Sequence, residues 1–377
     1  MIPLYDDGWG QLYHGDAREV LAQLPAESVQ CCVTSPPYWA LRQYQGAMDS
    51  IWGGRQDCEH EWGIELPAHH LWQVEQTLSG AVTGVAAGQT RAAGRHCSLC
   101  GAWRGQFGAE PTVELYVSHT VEILRLIKRV LRKDGVCWWN IGDSYCGSGQ
   151  DSGKRMGQRR GGLSGIDARP VGIASVSRPV TQNKQVNLKP KDLCLIPFRV
   201  ALAAQADGWY VRSVIIWEKP NCMPESVTDR PTDSHEYILM LTKSARYYWD
   251  QEAVREPAQQ WGTRDRANGK HREAGLANGL ENDTNPAGRN IRSVWLMNTA
   301  HYSGPHFATY PEELPRKCIM AASKQGDTIL DPFAGTGTTI AVAKSLARQG
   351  LGIEISKQYC QLAISRIQSV SLPMPLL

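Results

Sequence analysis

The 377-residue chain is 42% hydrophobic and 20% charged, enough to bury a large core in one α/β domain with insertions or in two domains. A net charge of +3 and a pI near 8.2 exclude a strongly basic surface overall, so any nucleic-acid contact has to be local. No run approaches the roughly 20 apolar residues of a membrane span, Met1-Ile2-Pro3-Leu4 does not open a signal peptide, and most of the cysteines sit in apolar runs. The expected setting is reducing and cytoplasmic, with no membrane partner.

In chain order, Ala17–Leu24 reads as a helix stopped by Pro25, and Gln30–Thr34 as a short buried strand. Residues 45–110 lose both helical and strand period and read as an insertion. Val113–Leu131 has apolar residues at helical spacing with a stop at Lys133-Asp134-Gly135, and Val136–Ile141 is the next strand. Leu193–Ala206 is expected as a helix and Tyr210–Trp217 as a strand. Tyr237–Thr242 is expected to pair with Arg246–Trp249 as a hairpin around Lys243–Ala245. Strand 328–331, helix 337–349, strand 351–355 and helix 356–368 close a fold whose alternation implies a mostly parallel sheet covered on both faces.

Two segments carry chemistry. Val33-Thr34-Ser35-Pro36-Pro37-Tyr38-Trp39 is a strand end followed by a rigid Pro-Pro turn, which fixes a hydroxyl, main-chain carbonyls and an aromatic face in one place. Thr328-Ile329-Leu330-Asp331-Pro332-Phe333-Ala334-Gly335-Thr336-Gly337-Thr338-Thr339 is an apolar strand entering a Gly-rich turn and a helix, where backbone amides approach a ligand closely. It lacks the Lys-Ser/Thr ending of a phosphate-binding P-loop.

With the Ser-Pro-Pro-Tyr motif first and the Gly-rich motif almost at the other end, the chain resembles the permuted beta group of DNA amino-methyltransferases. Those enzymes move a methyl group from S-adenosylmethionine to an exocyclic amine of cytosine or adenine. The resemblance implies a Rossmann-like methyltransferase fold built from residues 1–45, 112–250 and 305–377, with the cofactor half last and 46–111 inserted. It also implies that Asp331, Phe333, Gly335, Gly337 and Thr338 border the methionine part of the cofactor. Glu354, closing the next strand, would accept the ribose hydroxyls. Asp16 would lie near the adenine, and Phe307 and Tyr310 would wrap the cofactor. An N-cap Asp16, a capping Glu354 and plain helix-start packing at 307–314 are the competing structural readings.

In the resembling family the target amine donates hydrogen bonds to the Ser35 hydroxyl and the Pro36 carbonyl. Pro37 keeps the turn rigid and Tyr38 stacks on a base turned out of the double-stranded DNA. The chain contains no Pro-Cys pair, which excludes methylation of a cytosine ring carbon through a cysteine nucleophile. Ser at the first motif position goes mostly with cytosine N4 in that family, so N4-methylcytosine is the expected product. Adenine N6 is the alternative, and a non-catalytic zinc-containing DNA-binding protein is a second one.

Cys97-Ser98-Leu99-Cys100-Gly101 has the spacing of a zinc knuckle, and Cys58-Glu59-His60 upstream supplies two more N/S ligands for a structural Zn²⁺. His69 or His96 could replace His60. Residues 147–191 hold nine Lys/Arg, among them Lys154, Arg155, Arg159 and Arg160, against Asp151 and Asp167, and are expected to clamp DNA phosphates. Residues 251–304 are the expected target-recognition region, its arginines offset by acidic neighbours. A cognate restriction endonuclease acting on the same site and a homodimer are further expected partners.

Overall fold

A computed structural model describes residues 2–39, 49–63, 95–146, 188–189, 191–257, 288–299 and 310–372. Strands β1 (Tyr5–Asp6) and β2 (Gly10–His14) lead through helix α1 (Ala17–Gln23) into strand β3 (Val29–Thr34). Strands β4 (Ser50–Trp52), β5 (Arg95–His96) and β6 (Trp103–Gly105) precede helix α2 (Val113–Val130) and strand β7 (Leu131–Ile141). Helix α3 (Ile196–Ala206) is followed by strands β8 (Tyr210–Glu218), β9 (His235–Thr242) and β10 (Val294–Leu296). Helix α4 (Glu313–Ala322), strand β11 (Thr328–Asp331), helix α5 (Thr338–Ser345), strand β12 (Gln349–Glu354) and helix α6 (Lys357–Gln368) complete the described elements.

Nine strands form one sheet in the order β1-β2-β12-β11-β3-β7-β9-β8-β10. From β2 to β7 every pair is parallel, as is β8 with β10. Strand β9 runs antiparallel to both its neighbours, and β1 to β2. Side chains that alternate along a strand must leave on opposite faces. Val29 and Cys32 of β3, with Cys137 and Trp139 of β7, join the core under α1, α2 and α3. Cys31, Val33, Val136 and Trp138 join the other core, under α4 and α5. Both faces are therefore covered, as a parallel sheet requires. Helix α2 starts where Thr112 accepts a hydrogen bond from the Leu115 amide at 3.2 Å and ends with Lys128 and Arg129 in its last turn, both favourable to the helix ends.

Four local expectations change, one being that the helix expected over 337–349 ends at Ser345 and the strand expected from 351 begins at Gln349. Helix α2 passes directly into β7, so Lys133-Asp134-Gly135 lies inside an irregular strand start, where the register with β3 shifts between Val29 and Cys31. Strand β9 pairs with β7 and β8 rather than with residues 246–249, which form no strand. Those residues are drawn off instead, for the Tyr248 amide donates to the Asp134 carbonyl at 2.9 Å. Helix α3 begins three residues later than expected, because Leu195 takes the left-handed conformation (φ 57°) just before it.

Candidate active site and metal centre

In a parallel sheet, ligands bind at the carboxyl ends of the strands. Asp16 follows β2, Ser35 follows β3, Asp331 ends β11 and Glu354 ends β12, all at that edge. The start of antiparallel β9 lies there too, since Tyr237 pairs with Ile141 at the end of β7. A cleft with about 1010 Å³ of open space, mouth included, runs along this edge and is lined by Asp16, Ser35, Pro37, Phe333, Gly335, Thr338, Tyr310 and Glu354 among others.

Two buried carboxylates hold the turns here: Glu354, which lines the cleft, and Asp331, which lies behind its lining. Glu354 is 8% exposed, and its two oxygens accept from the Gly335 amide at 2.8 Å and the Ser356 amide at 2.7 Å. Burial nevertheless raises its carboxyl to about 7. Four acceptor positions on a carboxylate leave Glu354 room for a ligand's hydroxyls beside the two amides. Asp331 is deeper: Thr34, Thr339, Tyr310 and the Phe333 amide all donate to it, at 2.6, 2.7, 3.0 and 3.1 Å, and burial pushes its carboxyl up. Its carboxylate is occupied with joining β3 to the turn after β11, so it frames the turn. Gly337, at φ 78°, starts α5 with its α-carbon against α6; a Cβ there would lie 3.0 Å from the Ala363 Cβ. Thr338 is held by Arg366, whose Nη1 donates to its hydroxyl at 3.0 Å.

Asp16 is both an N-cap and a cleft residue. It accepts from the Arg18 amide at 2.8 Å and pairs with the Arg18 guanidinium at 3.3 Å, while Ser50 also donates to it. Burial opposes ionisation of Asp16, but Arg18 and Ser50 outweigh it and hold its carboxyl below the usual range.

At the far side stands the Ser35–Tyr38 turn. Ser35 Oγ donates to Tyr38 Oη at 3.1 Å, Tyr38 Oη donates to Glu236 Oε2 at 2.5 Å, and Asn140 Nδ2 reaches Tyr38 Oη at 2.8 Å and Ser35 Oγ at 3.3 Å. Lys219 pairs with the other Glu236 oxygen. Burial, then the Glu236 charge, pushes the Tyr38 hydroxyl well above its ordinary range, so Tyr38 is a neutral donor. Its ring lies over Gly142, where a Cβ would sit 2.9 Å from Tyr38 Cε2. Pro37 is locked as well, its carbonyl accepting from Tyr116 Oη at 2.9 Å.

The inserted residues wall this cleft rather than standing apart from it. Ser50, Trp52, Gln106 and Phe107 all line it. The Arg18 guanidinium lies 3.6 Å from the Trp52 ring centroid, and Phe107 stacks between Trp52 and Phe333 at 5.4 and 5.7 Å. Beneath them Glu110 accepts from the Gly108 amide at 2.8 Å and meets His119 at 3.0 Å, while the Trp39 indole donates to the Glu110 carbonyl. This buried group ties the insertion to the Ser35–Trp39 turn.

The segments flanking the insertion's strands, ordered β4-β6-β5, also carry four converging ligands. The side-chain donor atoms of Cys58, His60, Cys97 and Cys100 all lie within 4.8 Å of one another. Cys58 Sγ is 3.9 Å from Cys97 Sγ, and Cys100 Sγ is 3.4 Å from His60 Nδ1. A tetrahedral ion with bonds of about 2.3 Å to sulfur would place two sulfurs about 3.8 Å apart, which these spacings match. Desolvation opposes the Cys97 thiolate, but His60 and the Leu99 and Cys100 amides draw its thiol down to about 6. His96 lies on β5 outside the cluster, and His69 lies outside the described residues.

A family model for DNA methylases that modify N6 or N4 matches residues 29–365. The chain belongs to this DNA methylase family. It is 38% identical over 357 residues to the Type II methyltransferase M.Cfr9I of Citrobacter freundii, a match covering 95% of this chain and 87% of that one. It is 36% identical over 353 residues to the Type II methyltransferase M.SmaI of Serratia marcescens, covering 94% and 89%. The fold is shared with the cytosine-N4-specific PvuII DNA methyltransferase at a TM-score of 0.55 and 15% identity, over 100% of this chain and 91% of that one.

In this DNA methyltransferase, Phe307 and the basic residues Lys154, Arg155, Arg159 and Arg160 lie outside the described residues. Of the 251–304 region, the described arginines are paired: Arg255 with Glu252, and Arg289 and Arg292 with Glu256. A two-residue bridge between Glu256 and Arg289 closes the base of that region. Arg18, Trp52, Phe107, Asn140, Lys219 and Glu236 were not marked by sequence. Asn140 lies near the end of a recognisable strand, whose Asn-Ile-Gly-Asp ending was the one signal available for it.

Proposed function

We propose that the protein methylates the exocyclic N4 of cytosine in a short sequence of double-stranded DNA, with S-adenosylmethionine as donor. The observation that carries this reading is the placement of Ser35 on the same cleft as Glu354 and the Gly335 turn, so that one cavity can hold a nucleoside-like cofactor and an amine. Glu354 would take the ribose hydroxyls, and Trp52, Phe107 and Phe333 supply the apolar wall for the cofactor's flat and aliphatic parts. Bound there, S-adenosylmethionine would supply an electrophilic methyl; the amine nitrogen would bond to that carbon while the sulfur keeps the former C–S pair, and the amine would release one proton to solvent.

An exocyclic amine is a poor nucleophile because its lone pair is delocalised into the ring. Ser35 Oγ and the Pro36 carbonyl would accept its two N–H bonds and favour a pyramidal nitrogen. Tyr38, pinned by three partners, offers its ring to the base turned out of the duplex, a step that costs a few kcal/mol. Basic residues 154–160 would meet the phosphates, and a restriction endonuclease of the same site specificity fits Type II relatives.

The zinc reading rests on the Cys58, His60, Cys97 and Cys100 cluster, which would bind Zn²⁺ structurally: four protein ligands leave no open position for chemistry. Cytosine N4 rather than adenine N6 is favoured by a hydroxyl, not a carboxylate, at position 35, and the PvuII enzyme of the same fold is cytosine-N4-specific. Nucleoside mass spectrometry of duplex DNA methylated by the protein decides it. N4-methylcytosine is expected, and N6-methyladenine as sole product refutes the choice of base. Ser35→Ala should lower single-turnover methyl transfer by orders of magnitude with cofactor affinity unchanged, since the hydroxyl acts on the amine alone.

A further inference from the structure

Direction matters in the hydrogen-bond array around Tyr38. Glu236 reaches it from β9, Asn140 from β7 and Ser35 from the turn after β3. Glu236 is held from its other side by Lys219 on β8's extension, and an ionised carboxylate can only accept. The Tyr38 hydroxyl proton is therefore committed to Glu236 Oε2, at 2.5 Å. The Tyr38 oxygen must then accept, and it does so from Asn140 Nδ2 at 2.8 Å and Ser35 Oγ at 3.1 Å. Ser35 thus turns its only proton away from the cleft. The two Asn140 N–H bonds go to the nearer Tyr38 Oη and Glu236 Oε2, so Ser35 Oγ, 3.3 Å from Asn140 Nδ2, keeps its acceptor capacity on the cleft that Ser35 lines.

We propose that Glu236 is a positioning residue that, acting through Tyr38, holds the Ser35 hydroxyl as an acceptor toward the target amine. This rests on the amine-methylation reading above. The physical stake is the amine's lone pair. A Ser35 proton aimed at the nitrogen would bind the electron pair that has to form the new bond to carbon, so a serine free to rotate would bind the amine in an unreactive orientation about as well as in a reactive one. A carboxylate acting through one intervening residue, Tyr38, removes that option without touching the substrate. Asn140 reinforces it, donating to Glu236 Oε2 as well at 3.0 Å. The same device gives the Tyr38 hydroxyl a role that stacking by its ring alone would not need.

The test is single-turnover methyl transfer at saturating S-adenosylmethionine on duplex DNA, with cofactor affinity measured separately by calorimetry. Glu236→Gln presents an amide that can donate to Tyr38 and reverse the array; Tyr38→Phe removes the link and keeps the ring. Each should slow transfer about ten- to a hundredfold, the range of one charge-assisted hydrogen bond, while cofactor affinity stays within about twofold. The double variant should be no slower than the slower single one, because both break one chain. Glu236→Asp, still an acceptor, should recover part of the rate. Transfer within about twofold of wild type in Glu236→Gln, or losses that multiply in the double variant, overturns the proposal. Should Glu236→Gln not fold, Tyr38→Phe decides alone, a rate within about twofold of wild type again overturning it. A wild-type protein that transfers no methyl to any DNA amine would instead refute the function itself.

Discussion

Lowering the pH should loosen cofactor binding and tighten the empty fold, both through Glu354. Burial raises this carboxyl to about 7 from an ordinary 4.5, so it changes charge between those values on folding. For binding, the ionised form is the one that accepts ribose hydroxyls. The ionised share falls from about nine-tenths at pH 8 to about 3% at pH 5.5, so affinity should drop roughly thirtyfold over that span. For stability the sign is opposite. The folded state holds its proton more tightly than the unfolded chain, so the contribution is full below pH 4.5 and is lost as pH rises through 7. A rise from 4.5 to about 7 corresponds to about 3 kcal/mol at its upper limit. Calorimetric titration with S-adenosylhomocysteine between pH 5.5 and 8, beside melting curves of the empty protein, reads both. Glu354→Gln should bind weakly at every pH and lose the slope, because its amide cannot ionise and sets an NH₂ against the Gly335 or Ser356 amide. An affinity that is flat with pH in the wild type, or a slope retained in Glu354→Gln, refutes the assignment of the ribose to Glu354.

Protein purified without chelator should carry about one equivalent of zinc, and Cys97→Ser should lose it with a lower melting temperature; unchanged metal content would place the ion elsewhere. Since Trp52 and Phe107 share the insertion with the metal ligands, zinc removal should also weaken cofactor binding, which calorimetry after chelation checks. Gly337→Ala should destabilise by about 1–2 kcal/mol for the left-handed conformation alone, with the Ala363 contact adding to it, and an unchanged melting temperature would refute that account. Replacing Arg159 and Arg160 by Ala should weaken binding to cognate and unrelated duplexes alike and flatten the salt dependence; a loss confined to the cognate site would make them base readers.

The ends of the cleft are legible in sequence because each is a contiguous strand and turn: β3 into Ser35–Tyr38, and β11 into the glycines before α5. Period and motif coincide there. The walls are not legible, since Arg18, Trp52 and Phe107 meet only after an aperiodic insertion folds back over α1. Glu236 stayed hidden for a similar reason. It is one acid on a strand whose visible pattern is apolar, and its partners Tyr38 and Asn140 are 198 and 96 residues away along the chain. The misplaced hairpin after β9 shows the limit of local pairing rules, because β9 finds a better partner in β7, far earlier in sequence.

Strands β2 and β3 are made one after the other, yet in the sheet they are separated by β12 and β11, synthesised some 300 residues later. The sheet therefore cannot close between β2 and β3 until residues 328–354 have been made. Long-range parallel pairings of this kind form slowly and leave strand edges exposed meanwhile. A ribosome-bound fragment stopping before residue 328 has Ser35 but neither Asp331 nor Glu354, so it cannot assemble the cleft. The cleft that joins Ser35 to Glu354 exists only when β11 and β12 lie between β2 and β3.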